Sequence, residues 1–246
     1  GSSALESNTT ASFNTAVGYQ AGYSNTTGTP NTAIGYQALY TNTTGGSNFA
    51  GGAFALDANT TGANNIGIGT NALGANTSGN FNTAIGDSAM AANTTANDNV
   101  AVGQSALDAN TTGASNVALG RDALGANTTA NSNTAVGFQA GNANTTGRLT
   151  AIGSGALRTS TGTGSNTAVG YNAMYHTTTG GENTALSHDA LVLNTTGSYN
   201  TAIGRQALRS NTTASNNTAV GNRAGYNNTT GVSNTFLGKD AGFSST

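Results

Sequence analysis

The side chains able to do chemistry in this chain are few. There is no Cys, and the two His residues are His176 and His188. A Ser-His-Asp hydrolase needs a His held by a carboxylate, and Asp189 beside His188 is the only local candidate. No Gly-x-Ser-x-Gly motif accompanies it. We therefore interpret both His residues as exposed and inert, and the sequence predicts no catalytic site.

The charged residues also fail to form a recognisable site. The carboxylates lack the dense Asp spacing of a calcium loop. Asp108 and Asp122, in neighbouring repeats, come closest to the paired acids of a glycosidase, but the pattern is too weak to single out. Seven Lys and Arg residues are spread over the array, which disfavours nucleic-acid binding. No metal and no cofactor are predicted.

A repeat of 17 residues organises the chain. The phrase Asn-Thr-Ala-(Val/Ile)-Gly recurs through fourteen coils, of which one is shortened to 16 residues. We number the places of a coil from Asn14, so that each place becomes a column of residues along the array. The Gly at the fifth place is replaced once, by Ser187. Such self-similarity is the signature of a stacked repeat fold.

Two columns of the repeat indicate its core. The eighth place is Ala in every coil, as in Ala21 and Ala38, which predicts a crowded, buried column. The fourth place is mostly Val, Ile or Leu, as in Val17 and Ile34, and we interpret it as the main hydrophobic ladder. The Ala at the third place would then lie on the other face of the strand, against a neighbouring subunit. The reverse assignment of the two faces is the alternative.

The ninth and twelfth places suggest how the coil closes. Leu or Met at the ninth place predicts a second strand that also feeds the core. Asn-Thr-Thr begins at the twelfth place, as at Asn25 and Asn42, where Asn side chains can bond the turn backbone and one another along a ladder. Frequent Gly and Thr disfavour helices of the length available between turns.

The predicted fold is accordingly all-β, a parallel β-solenoid or β-roll of fourteen coils with two strands of about five residues each. We divide the chain into an N-terminal partial coil with an expression remnant, residues 1–13, and a single repeat domain, residues 14–246. No apolar run reaches the roughly 20 residues needed to cross a bilayer, so no membrane insertion is expected.

At the phrases that span residues 31–39 and 42–45, the chain resembles the head repeats of trimeric autotransporter adhesins and the repeat arrays of phage tail-fibre-like proteins. The resemblance covers nearly the whole chain, although the adhesin coils are shorter. It implies a left-handed β-roll, a homotrimer and an extracellular location on a cell or virion surface.

Variable columns are the candidates for display. Tyr19 and Tyr36 share the sixth column, and Tyr23 and Tyr40 share the tenth. They could form an aromatic cluster that docks a cell-surface glycan or protein receptor, or they could pair simply with each other across coils.

Three functional hypotheses follow from the repeat. The first is a non-enzymatic structural and adhesive module, receptor-binding or spacer, of a trimeric surface or tail fibre. The second is an ice-binding β-solenoid that uses its Thr and Asn ladders. The third is an extracellular filament subunit that associates through unpaired strand edges.

Overall fold

The chain forms a parallel β-solenoid of about thirteen turns in the computed structural model, which describes residues 1–162 and 164–245. The all-β prediction is confirmed, and the described residues contain no helix. The chain divides into two compact units. The first comprises residues 1–122 and 126–131, and the second comprises residues 123–125 and those that follow 131.

Each coil contributes one strand of three or four residues. The first unit holds β1 Thr15–Val17, β2 Asn31–Ile34, β3 Asn48–Gly51, β4 Ile66–Ile68, β5 Thr83–Ile85, β6 Val100–Val102 and β7 Val117–Leu119. The second unit holds β8 Thr134–Val136, β9 Leu149–Ile152, β10 Asn166–Val169, β11 Thr184–Leu186, β12 Thr201–Ile203, β13 Thr218–Val220 and β14 Thr235–Leu237.

Within each unit every strand pairs in parallel with the strand of the next coil, so that identical places become neighbours. In the first unit Thr15 pairs with Thr32, one full repeat away. In the second unit Thr134 of β8 pairs with Thr150 of β9, because the intervening coil is one residue shorter. The register therefore follows the repeat read from the sequence.

Stacking also satisfies the backbone outside the strands. The Leu39 N–H donates to the Ala55 carbonyl at 3.0 Å, and the Thr43 N–H donates to the Thr60 carbonyl at 3.0 Å. Buried backbone groups need such partners. A coil is thus bonded to its neighbours through its turns as well as through its short strand.

The second predicted strand is absent from the described residues, and that prediction is wrong. The seventh and ninth places adopt left-handed backbone, with φ of 52° at Gln37 and 52° at Leu39, whereas a strand needs φ near −120°. Left-handed backbone costs a residue other than Gly on the order of 1–2 kcal/mol. Burial of the Leu side chain, 1% exposed at Leu39, offsets this cost.

The preferred orientation of the strand is also wrong, and the strand adopts the reverse assignment of its two faces. The third-place Ala33 points inward and is 2% exposed, whereas the fourth-place Ile34 points outward and is 43% exposed. Val17 is likewise outward. The narrow interior is already filled by the third-place Ala, the buried eighth-place Ala (Ala21, Ala38) and the ninth-place Leu. Strand alternation then leaves the fourth place outside.

Two columns that are mainly Asn run through the interior of each unit; in the second unit Ser160 and Thr177 replace Asn at the twelfth place and Leu149 replaces it at the first. At the twelfth place, Asn42 Nδ2 donates to Asn25 Oδ1 at 2.8 Å and to the Gly45 carbonyl at 2.9 Å. At the first place, the Asn48 N–H donates to Asn31 Oδ1 at 2.9 Å. The second ladder has no counterpart in the sequence-based prediction. Both ladders satisfy buried amides that would otherwise be costly.

Where Gly replaces the ninth-place Leu, a larger side chain in another column can occupy the space that Leu leaves. At Gly141 the space is occupied by Leu149, whose Cδ1 lies 3.1 Å from where a Cβ would stand. At Gly225 it is occupied by Phe236, which replaces a third-place Ala, with Cδ2 2.6 Å from such a Cβ. These paired changes keep the interior densely packed.

Gly22 has no larger residue in another column to fill its place: Leu5, its neighbour in the same column, comes nearest, with Cδ2 3.0 Å from where a Cβ would stand, and a small cavity lined by Leu5, Ala33 and Leu39 lies beside it. We expect Gly22→Leu to leave the free energy of unfolding within about 1 kcal/mol of wild type, because Leu already adopts the φ of 61° in this column and the flexible Leu5 side chain can shift toward the cavity. Urea unfolding measures the change. The matched variant Gly225→Leu should destabilise, since Phe236 holds that space. Equal effects of both variants would contradict the packing argument.

Candidate functional site

The two His residues lie on the surface. His188 Nδ1 lies 3.2 Å from Asp189 Oδ2, and its ring centroid is 5.2 Å from that of Tyr171. His176 meets the Tyr175 ring edge to face at 4.8 Å. Both side chains are exposed. No group of three or more His, Cys, Asp or Glu able to hold a metal occurs in the described ranges.

Two half-buried carboxyls are electrostatically perturbed. Burial raises the pKa of Asp57, against the opposing effect of its backbone hydrogen bonds. Burial also raises the pKa of Asp108, and the nearby charge of Asp122 adds to that rise. Asp108 and Asp122, which the sequence pattern did not single out as a pair, therefore lie within electrostatic range of each other, but Asp122 is also paired with Arg121 at 3.4 Å.

The four Tyr residues singled out from the sequence stack in pairs within their columns. The Tyr19 and Tyr36 ring centroids are 5.4 Å apart, and those of Tyr23 and Tyr40 are 5.2 Å apart. Tyr36 also meets Phe54 edge to face. Each stacked ring covers one face of its neighbour, which reduces the free ring surface that a sugar could contact.

The side chains at the second and fourth places of each coil lie on the strand and point outward. Together they form what we call the outer strand face. Its fourth-place aliphatic column is exposed by 37% at Val102 and 57% at Val17. Its second-place column is Thr in every strand of the second unit. In the first unit Phe49, Ile66 and other apolar residues interrupt the Thr column. The sequence-based prediction placed the aliphatic column inside and so missed this surface.

A second surface feature follows from the 16-residue coil of the second unit. An open notch of about 130 Å³ lies beside that coil, lined mainly by polar groups. Its lining consists of Ser132, Arg148, Leu149, Thr150, Ser165, Asn166 and Thr167. The deletion was visible in the sequence, but its consequence for the surface was not, because it depends on where the missing residue falls in the coil.

The fold and these surfaces define the class of the protein, which is a parallel β-solenoid repeat protein. No family model, no curated protein and no solved structure matches the chain. No bilayer-spanning helix is found among the described residues.

Proposed function

We propose that this chain is a non-enzymatic structural and adhesive module of an extracellular surface or tail fibre, assembled as a homotrimer through the outer strand face. The observation that carries the proposal is the column of aliphatic side chains on the outside of each unit, which Gly51 interrupts in the first unit. Large contiguous apolar patches on soluble proteins commonly mark interaction sites.

The composition of the face fits self-association. In the first unit the second place adds Phe49, Ile66, Val100 and Val117 to the exposed aliphatic column. Identical places lie side by side in successive strands of a unit, so each copy presents the same column of outward side chains to its neighbours. Closed symmetry lets every copy bury that column around a common axis. The resemblance to adhesin head repeats supports three copies.

The solution mass tests this proposal. We expect light scattering to give three times the chain mass of 24.1 kDa. Ile85→Lys with Val102→Lys places two charges on the outer strand face and should reduce the mass to that of one chain, because burying unpaired charge is costly. Thr95→Lys with Thr112→Lys, at exposed turn positions, is the matched control and should stay trimeric.

The outcomes separate the hypotheses. Circular dichroism of the variants shows whether the solenoid is retained. A wild-type mass of one chain would overturn the trimer, and a broad distribution of high masses would favour the filament instead.

Ice binding is the second candidate, and the regular second-place column of the second unit favours it. Seven Thr residues lie in register beside the aliphatic column there, from Thr134 of β8 to Thr235 of β14. Such a face could order water, provided that it is free of partner chains. A single-chain species that shapes ice crystals, and loses this activity in Thr184→Lys with Thr201→Lys, would establish it; unshaped crystals would remove it.

A further inference from the structure

The notch beside the 16-residue coil arises from one missing residue. In the flanking coils the seventeenth place is occupied by Ser132 and Ser165, but the coil 133–148 passes directly from Arg148 at the sixteenth place to Leu149 at the first. The gap in this surface column is the notch, and all of its lining residues belong to the second unit. The notch therefore results from the course of the backbone and not only from the position of a flexible side chain.

The lining of the notch combines one positive charge with several hydroxyls. Arg148 is exposed, and within the described residues its guanidinium has no ion pair and no hydrogen bond. By contrast, Arg223 Nε is bound to Asp240 Oδ1 at 2.7 Å. The hydroxyl-bearing side chains of Ser132, Thr150, Ser165 and Thr167 surround the same space. An uncommitted guanidinium among hydroxyl donors is suited to an oxyanion.

The carboxylate of Glu182, in the next coil, accepts a hydrogen bond from the backbone beside the notch. At regular coils the N–H of the seventeenth place donates to the carbonyl of the sixteenth place in the preceding coil, as Tyr199 does to Gly181 at 3.0 Å. Here the Arg148 carbonyl instead accepts from the Asn166 N–H at 3.3 Å. The displaced Ser165 N–H donates to Glu182 Oε1 at 3.3 Å. That exposed carboxylate accepts this one long hydrogen bond and forms no ion pair with Arg148.

We propose that this notch binds a single anionic group, either the carboxylate of an acidic sugar or a phosphate group of a surface polymer. The open notch has a volume of about 130 Å³, which gives room for one charged group and not for a whole extended ligand. The site gives the adhesive role of the proposed function a ligand class and lies within one chain, and two of its lining residues, Thr150 and Thr167, belong to the outer strand face through which the proposed trimer forms.

Titration of the full chain followed by amide chemical shifts tests the site. We expect saturable shifts at Ser132, Arg148 and Thr150 with glucuronate or with inorganic phosphate, and none with neutral glucose. Response to one anion but not the other identifies the source. Arg148→Gln should weaken binding by about tenfold or more, the effect of losing one charged hydrogen-bonding partner.

Two further variants keep the proposal falsifiable. Arg205→Gln removes an exposed arginine that is also without an ion pair in the described residues but lies outside the notch, so binding should persist. Insertion of one Ser between Arg148 and Leu149 restores the 17-residue coil and fills the notch, so binding should be lost while the fold is kept. Equal binding in all three variants, or no saturable shift with either anion, would overturn the proposal.

The solution mass of the same samples separates this proposal from the previous one. A three-chain mass without anion binding, together with no binding in the one-chain variant Ile85→Lys with Val102→Lys, overturns only the notch, and a one-chain mass with anion binding overturns only the trimer.

Discussion

Gly52→Ala is expected to destabilise the first unit by about 3–5 kcal/mol, as a backbone clash combined with strained dihedral angles. Gly52 has φ of 140°, a region essentially reserved for Gly. A Cβ there would stand 2.5 Å from the carbonyl oxygen and 2.7 Å from the carbonyl carbon of Gly69 in the next coil. Neither atom can withdraw without breaking the stack. Urea unfolding and amide hydrogen exchange in β3 and β4 measure the loss.

The adjacent glycine provides the control for this experiment. Gly51 lies at the fourth place, and a Cβ there would approach only side-chain atoms, the nearest being Phe49 Cε1 at 3.1 Å. Gly51→Ala should therefore leave stability nearly unchanged. Ser187 occupies the place of Gly52 in one coil, at φ of 120°, so the coil can admit a side chain at a cost. Equal stability of the two variants would contradict the clash argument.

Asn76→Asp is expected to destabilise the first unit by about 3–5 kcal/mol at pH 7, the cost of an uncompensated buried charge. Asn76 is fully buried, and its Nδ2 donates to Asn59 Oδ1 at 2.8 Å and to the Gly79 carbonyl at 3.1 Å. Its Oδ1 accepts from Asn93 Nδ2 at 2.9 Å. An Asp carboxylate at this position still accepts the hydrogen bond from Asn93 Nδ2. Its second oxygen, however, replaces the donor Nδ2 and faces two acceptors, Asn59 Oδ1 and the Gly79 carbonyl.

The destabilisation by Asn76→Asp should shrink as the pH falls. Burial and the facing acceptors favour the protonated carboxyl in the fold, so its pKa is higher folded than unfolded, where it is about 3.9. Stability is therefore regained as pH drops through the folded pKa and is lost as pH rises through it. Unfolding curves between pH 7 and pH 4 follow this change.

Wild-type protein must be measured in parallel, because burial also raises the pKa of Asp57 and of Asp108. Asn64→Asp is the matched control: Asn64 is exposed and has left-handed φ of 58°, which Asp tolerates as well as Asn does. We expect this variant to be neutral. A pH-independent loss in Asn76→Asp would show that the ladder does not bury the charge.

The solenoid and its register were predictable because a fixed repeat with a constant Ala column constrains stacking directly. The orientation of the strand was not. Ala33 and Ile34 both suit burial, and strand alternation says only that they face opposite ways. The choice depends on how much volume the Leu39 column brings into the interior, which the one-dimensional pattern does not reveal.

Turn geometry escaped prediction for a related reason. Gln37 and Leu39 are residue types that disfavour left-handed backbone, so a strand was the natural expectation at those places. Their conformation is imposed by bonding to the neighbouring coils, as when the Leu39 N–H reaches Ala55. The notch at Arg148 escaped prediction for the same reason. The repeat count shows that one coil lacks a residue, but it does not show where on the surface the missing residue leaves a gap.

The exchange of volume between columns bears on how the gene for such a protein can change. A coil whose interior is regular meets identical neighbours above and below, so copying or losing its coding segment in frame preserves every contact. In two places a Gly in one coil is matched by a larger side chain in the next coil, as at Gly141 with Leu149 and at Gly225 with Phe236. Loss or duplication of one such coil without the other would leave a gap or a clash, so we expect the two coils of each pair to be kept together. Recombination breakpoints in related genes should therefore fall between the regular coils and spare these two junctions.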